Sequence, residues 1–282
     1  MRYAAVQSLH GLKCVWFRPT EPATSSIIFQ ALVSIYDALN DDDDGIRNLA
    51  AEVASKFTLL KAGASYRPSV IPLVASQRLA QYLAKVYSSS PELSLEAARR
   101  LTGDSINASA TDRAVAALLA EASQEDTALF VVEKQNLFID PVREARVWSR
   151  VLLSLSPAAV SPPLARRLST WVIDGVTTLK AAFEVGRDGA LGFTSKPEVF
   201  TLGMRVIYAA EVVLEWRMRG IRTGVKGSEL RRRLSEWVEV GENTSMHGMW
   251  TDAIHTVLER SMTNRLRFVR DVLQDTLDKL HN

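Results

Sequence analysis

The chain has 282 residues, 47% hydrophobic and 23% charged, which is enough apolar material for a sizeable core and excludes a disordered chain. Its 34 basic and 32 acidic side chains leave a net charge of +2, so overall charge gives no argument for nucleic-acid binding. Cys14 is the only cysteine, which excludes an intrachain disulfide and a cysteine-based zinc site and fits a reducing compartment.

Apolar residues recur at steps of three and four almost throughout, and no segment alternates like a strand. The first stripe is Ala5, Leu9, Leu12 and Trp16, closed by Pro19 and Pro22. Ile28, Leu32, Ile35 and Leu39 form the second, and Ile46, Ala50, Val53 and Phe57 the third. A helix is predicted over 68–87 with Pro68 in its first turn, and a shorter one over 92–101 ended by Gly103. The Ala/Leu-rich segment 111–121 reads as helix and Phe130-Val131-Val132 as extended loop.

Asp140-Pro141 starts a helix carrying Trp148, Val151, Leu152 and Leu155. Pro157 to Pro163 is the best candidate boundary, dividing helical repeats over 1–156 from C-terminal repeats over 157–282, with the two parts continuous. Further stripes follow at Leu164, Leu168, Trp171 and at Gly203, Ile207, Ala210, Leu214, separated by a loop over 186–197. A long closing stripe runs from Ile254 to Leu280. The expectation is an all-α protein, a HEAT/armadillo-like α-solenoid segment of antiparallel helix pairs.

The repeat reading rests on a recurring pattern. Asp41 to Asp44 lead into Ile46-Arg47-x-x-Ala50, and Met1-Arg2-x-x-Ala5 repeats the motif 45 residues earlier. That spacing lies within the roughly 40–47-residue period of HEAT and armadillo units. A looser copy, Asp140-Pro141-Val142-Arg143, has its Ala145 one place early. The acids before the helix cap free N–H groups; their spacing lacks the alternating ligands and terminal Glu of a calcium loop. In this pattern the apolar residue and the alanine face inward, and the arginine sits at the seam where it meets an acid of the next repeat. Because the chain opens inside the motif, apolar surface is expected at Ala5, Leu9 and Leu12, as in a piece of a longer array.

Catalytic signatures are absent. His10, His247, His255 and His281 have no metal-ligand spacing, and there is neither a nucleophile elbow nor a phosphate-binding loop. Gly186, Gly189 and Gly192 mark a surface loop, and a Rossmann-type methyltransferase domain lacks its strands here. No metal, cofactor or catalytic residue is therefore assigned. The six tryptophans fall on helix stripes and read as core. The one electrostatic feature is Arg217, Arg219, Arg222, Lys226, Arg231, Arg232 and Arg233 against the single acid Glu229, a candidate contact for RNA or an acidic partner. Arg265, Arg267 and Arg270 are a candidate extension. No stretch approaches the roughly 20 apolar residues that cross a bilayer, and a signal-peptide pattern is missing, so a cytoplasmic location is expected.

Two segments carry a family resemblance: Tyr36 to Ala50, and Phe130 to Ala145 with its Glu133-Lys134-Gln135-Asn136-Leu137-Phe138-Ile139-Asp140 core. With Arg2 to Leu9, they resemble the C-terminal region of fungal THADA-like proteins, large HEAT-repeat proteins. The resemblance implies the non-catalytic partner of an FtsJ-like methyltransferase that methylates a ribose 2′-hydroxyl in the tRNA anticodon loop. By the same implication the partner binds S-adenosylmethionine and the helical subunit positions the substrate. The family's Arg-Arg-Ser-Ala-Gly-Leu-Pro motif is absent from this sequence, so no catalytic residue carries over. The alternative is a HEAT-type protein-interaction scaffold of the tubulin-folding or transport kind.

Overall fold

The structure is a computed structural model that describes residues 2–11, 22–58, 71–103, 105–106, 139–185, 197–240 and 248–263. Among the described residues every regular element is a helix, as the periodicity requires. None of these helices is long and apolar enough to cross a membrane. The chain divides into two compact units, one carrying the helices up to Ser88 and the other those from Ser89 onward, apart from Ile139 and Asp140, which go with the first.

The first unit holds α1 (Arg2–Gly11), α2 (Pro22–Ala38), α3 (Asp44–Thr58) and α4 (Pro72–Val86). Its core is Phe29, Leu32, Ile35 and Tyr36 of α2, Ile46, Ala50 and Val53 of α3, and Leu79 and Leu83 of α4. The aspartate run divides its work residue by residue. Asp43 Oδ1 accepts from the backbone N–H of Gly45 at 2.8 Å and of Ile46 at 3.2 Å, which makes it the N-cap of α3. Asp44 opposes the positive helix start from the first turn. Asp41 Oδ1 accepts from the Asp43 N–H at 3.0 Å and tightens the turn. Arg2 then donates to Asp41 Oδ2 at 3.0 Å and Asp42 Oδ1 at 2.9 Å, while Arg47 donates to the carbonyls of Asp41 and Asp42 at 2.7 and 2.9 Å. Two arginines of the repeated motif thus grip one turn, one from each repeat.

In α1 Ala5 is exposed, as expected of the opening motif, and Leu9 is half-buried, while Leu12 lies outside the described residues. Two details depart from the sequence expectation. The buried residue of α1 is Val6, off the stripe of Ala5 and Leu9. The helix expected from Pro68 starts at Pro72 instead. Ile71 is extended (φ −58°, ψ 128°) because the ring of a following proline disfavours helical backbone at the residue before it. Proline then occupies a first-turn position, where its missing N–H costs nothing.

The second unit holds α5 (Pro91–Thr102), α6 (Pro141–Ser154), a 3₁₀ turn (Pro157–Ala159), α7 (Pro162–Val185), α8 (Pro197–Met218), α9 (Gly227–Val240) and α10 (248–263). Its largest buried side chains are Trp148, Trp171, Trp216, Trp237 and Trp250. Four of these indole N–H groups donate: Trp171 to Ser105 Oγ at 3.0 Å, Trp148 to Glu144 at 3.1 Å, Trp216 to the Leu152 carbonyl at 3.4 Å and Trp250 to the Phe200 carbonyl at 3.3 Å. Trp237 and Trp250 also pack ring to ring at 5.5 Å. The tryptophans are core, as their register indicated; Trp16 lies outside the described residues.

Cross-helix pairs give the stacking order. Arg233 donates to Thr177 Oγ1 and Lys180 pairs with Glu236, both 56 residues apart, so α7 and α9 run parallel. Phe200 meets Trp250 and Glu211 meets Arg260, 50 and 49 residues apart, so α8 and α10 run parallel too. Gly175 lies against Val206 and Arg166 against Gly224, so α7 and α8 are antiparallel. This is the alternation of stacked helix hairpins. Close approach depends on glycine at two points: a Cβ on Gly175 would come 2.6 Å from Val206 Cγ2, and one on Gly203 would enter the Trp250 indole.

Helix α8 also secures its neighbours by their ends. Arg205 donates to the carbonyls of Arg100 and Leu101 at 3.2 and 3.3 Å, at the end of α5. There Gly103 (φ 64°) supplies the left-handed cap. Arg219, just beyond α8, donates to the carbonyls of Leu153 at 3.0 Å and Leu155 at 2.6 Å, at the end of α6. The Pro157–Pro163 connector forms the 3₁₀ turn and the start of α7, and Ser94 Oγ donates to the Ala159 carbonyl at 2.7 Å to pin it to α5.

Three stability outcomes follow from these contacts, each read as a shift in the denaturant midpoint. Asp43→Ala should cost about 1 kcal/mol through loss of the cap, whereas Asp42→Ala, at an exposed ion pair, should leave the midpoint unchanged. Gly203→Ala should cost about 1–3 kcal/mol by overpacking, with Gly224→Ala, in open surroundings, as the neutral control. Arg219→Met should cost about 1.5 kcal/mol by stripping charged donors from helix-end carbonyls.

Candidate nucleic-acid interface

The basic cluster singled out in the sequence starts where α8 stops. Gly220 takes a left-handed backbone (φ 79°), with its N–H on the Arg217 carbonyl at 3.2 Å and the Ile221 N–H on the Trp216 carbonyl at 2.9 Å. That double bond is the Schellman pattern, and buried Ile221 supplies its apolar contact. The chain is thereby turned sharply outward, and five residues, Arg222 to Lys226, cross to α9. Lys226 offers its carbonyl to the Leu230 N–H at 3.1 Å and opens that helix.

The seven cations separate into two groups by what their side chains already hold. Arg219 is committed to the α6 carbonyls. Arg232 binds Glu229 at 2.8 Å and also Glu236, and Arg233 binds Glu229 at 2.7 Å and Thr177 at 2.9 Å. Hydrogen bonds from Arg232 and Arg233 hold the Glu229 carboxyl down at about 2. It therefore stays ionised and keeps both arginines hydrogen-bonded at any physiological pH. Arg231 has internal interactions as well and lies over Gly227.

Arg217, Arg222 and Lys226 are different: all three are exposed, and none makes a side-chain hydrogen bond or ion pair to another described residue. Arg166 joins them. Its Cγ lies 3.7 Å from where a Cβ on Gly224 would stand, which places it beside the loop from the first turns of α7. Sequence reading missed Arg166, because it lies far from the cluster along the chain and only the packing of α7 beside the turn brings it there.

Four exposed cations around a glycine-containing turn can take phosphate oxygens or carboxylates by charge and by backbone approach. Among the described residues no group of three His, Cys, Asp or Glu could hold a metal, and His255 is exposed on α10. His247, His281, the Arg265–Arg270 extension and residues 133–138 of the family-like segment lie outside the described residues. Ile139 and Asp140, which end that segment, are exposed.

The family model Trm732_C, described as the Trm72 ARM-like repeat region, matches residues 81–262. The matched span runs from within α4 into α10 and includes the whole basic turn. No curated protein and no solved structure matches the chain. An ARM-like region is a helical scaffold rather than a catalytic domain, and the family points to tRNA modification, in line with the THADA-like resemblance of the sequence. With well over half its length matched and its helices stacked as such repeats are, the chain belongs to the Trm732_C family of ARM-like repeat regions.

Proposed function

We propose that this chain is a non-catalytic scaffold segment that supports 2′-O-ribose methylation in the tRNA anticodon loop by an FtsJ-like partner methyltransferase. The partner supplies the S-adenosylmethionine site and the chemistry; this chain supplies surface. The observation that carries the reading is the family match over 81–262, and the exposed cations Arg217, Arg222, Lys226 and Arg166 give it a place to act. Phosphate contacts of this kind fix the position of an RNA without reading its sequence. The same repeats could hold proteins alone, as in a tubulin-folding or transport scaffold, and the two readings separate in one experiment.

In the reconstituted complex, Arg217→Glu, Arg222→Glu and Lys226→Glu together should lower tRNA affinity more than tenfold, about 1.4 kcal/mol or more. Removing three contacts should also flatten the salt dependence by about 2 in the log–log slope. Arg219→Met should lower stability without changing that slope. Unchanged tRNA affinity and methylation in the triple variant would sink the RNA contact and leave the protein-only scaffold.

A further inference from the structure

A cleft of about 240 Å³ opens in the second unit between α6, α8 and α10. It is smaller than the roughly 300–1,000 Å³ of pockets for drug-sized ligands, so it suits a fragment the size of one heterocycle. Leu153, Leu214, Met218 and Val257 give it apolar surface. One wall carries Glu211, whose side chain is only 12% exposed and whose Oε1 accepts from Arg260 at 2.8 Å. That bond fixes the carboxylate in place. Its other oxygen, Oε2, has no hydrogen-bond partner among the described residues, which leaves a positioned acceptor in a half-polar cleft that Glu215 and Ser261 also line. Arg150, exposed on α6, stands at the rim.

The position of the cleft matters as much as its lining. Met218 is the last residue of α8, so the cleft wall ends one residue before Arg219 and two before the turn at Gly220. The exposed cations of that turn therefore follow directly from the wall of the cleft. A slot with one apolar wall and a fixed acceptor, beside cations that take phosphates, can seat an unpaired base while its backbone stays outside.

We propose that this cleft receives one unpaired nucleobase with an exocyclic amino group from an RNA strand whose phosphates lie on the basic turn after α8. The inference rests on the RNA reading above and specifies what part of the RNA is held. The base slides against Met218 and Leu214, and its amino group donates to Glu211 Oε2. Arg150 takes the adjoining phosphate. A cytosine, with a donor at N4, satisfies the carboxylate, whereas a uracil presents an acceptor at the same position and is repelled.

The test compares the full chain against oligocytidine and oligouridine strands of equal length by fluorescence anisotropy. The wild type should prefer oligocytidine by about tenfold. Met218→Trp, which fills the cleft, should abolish that preference while keeping the salt slope set by the basic turn. Glu211→Gln should also remove the preference, and it decides the matter if circular dichroism shows Met218→Trp unfolded. Equal wild-type affinity for the two strands, or a preference that survives both substitutions, overturns the base pocket. In that event the RNA reading stands if the Arg217, Arg222 and Lys226 reversals still weaken both strands, and falls with it if they do not. Weakened capture of the methyltransferase by Met218→Trp, with RNA binding untouched, assigns the cleft to the protein partner and equally overturns the proposal.

Discussion

The second unit depends on the way α8 is held and holds. Val206, Ile207, Ala209, Ala210, Val212, Val213, Leu214 and Trp216 are all buried, so almost the entire circumference of this helix is covered. Arg205, Tyr208, Glu211 and Glu215 lie along its one half-buried stripe, and on the other, apolar sides burial by itself would leave the neighbours free to slide. Directional bonds supply what burial lacks. Arg205 and Arg219 reach from α8 and its exit to the last carbonyls of α5 and α6. Carbonyls of a last helical turn lack the usual intrahelical partner, so each bond fixes axial position and satisfies an acceptor together, the Arg100 carbonyl taking the Gly103 N–H at 3.3 Å as well. The basic turn is placed by the same device, because the guanidinium of Arg219 anchors the exit of α8 to the end of α6.

The first unit solves the same problem with the reverse polarity. There the cations Arg2 and Arg47 converge on the turn that precedes α3, and the acids that accept Arg2 also shape that turn. Asp43 caps the helix through two short-range bonds from backbone donors, at 2.8 and 3.2 Å. The Arg2 contacts are largely exposed and respond to ionic strength. A turn that looked in composition like an ion site is thus a structural joint made from the protein's own charges.

Much of this was legible because period and punctuation carry physical meaning over short distances. The steps of three and four that mark α2, α3, α6 and α8 return as buried faces, and Gly103 ends α5 where a left-handed residue was needed. The Ile46-Arg47-x-x-Ala50 motif packs as its chemistry suggests, with Ile46 and Ala50 inward and Arg47 at the seam. The register of α1 was less legible, since a helix with little apolar contrast does not announce whether Ala5 or Val6 faces inward. Nor could the sequence divide the basic cluster. Glu229 and Glu236 lie within four residues of the arginines they pair with, but the carbonyl and hydroxyl partners of Arg219 and Arg233 lie 56 to 66 positions away, at Thr177 and Leu153. Local reading sees the helical ion pairs and not the distant partners.

The alternating direction of the helices has one more consequence. Because α7 and α9 are parallel, their N-termini point to the end of the unit that carries the basic turn, and the antiparallel α8 brings its C-terminus there. Peptide dipoles add along each axis, so that end face is divided: a positive part over α7 and α9, a negative part over α8. A uniform basic patch would attract a polyanion in any orientation. A divided face does not, since it draws phosphates to one part and leaves the other to groups that donate hydrogen bonds. The backbone itself, before any side chain is counted, thus gives this surface a sense of direction.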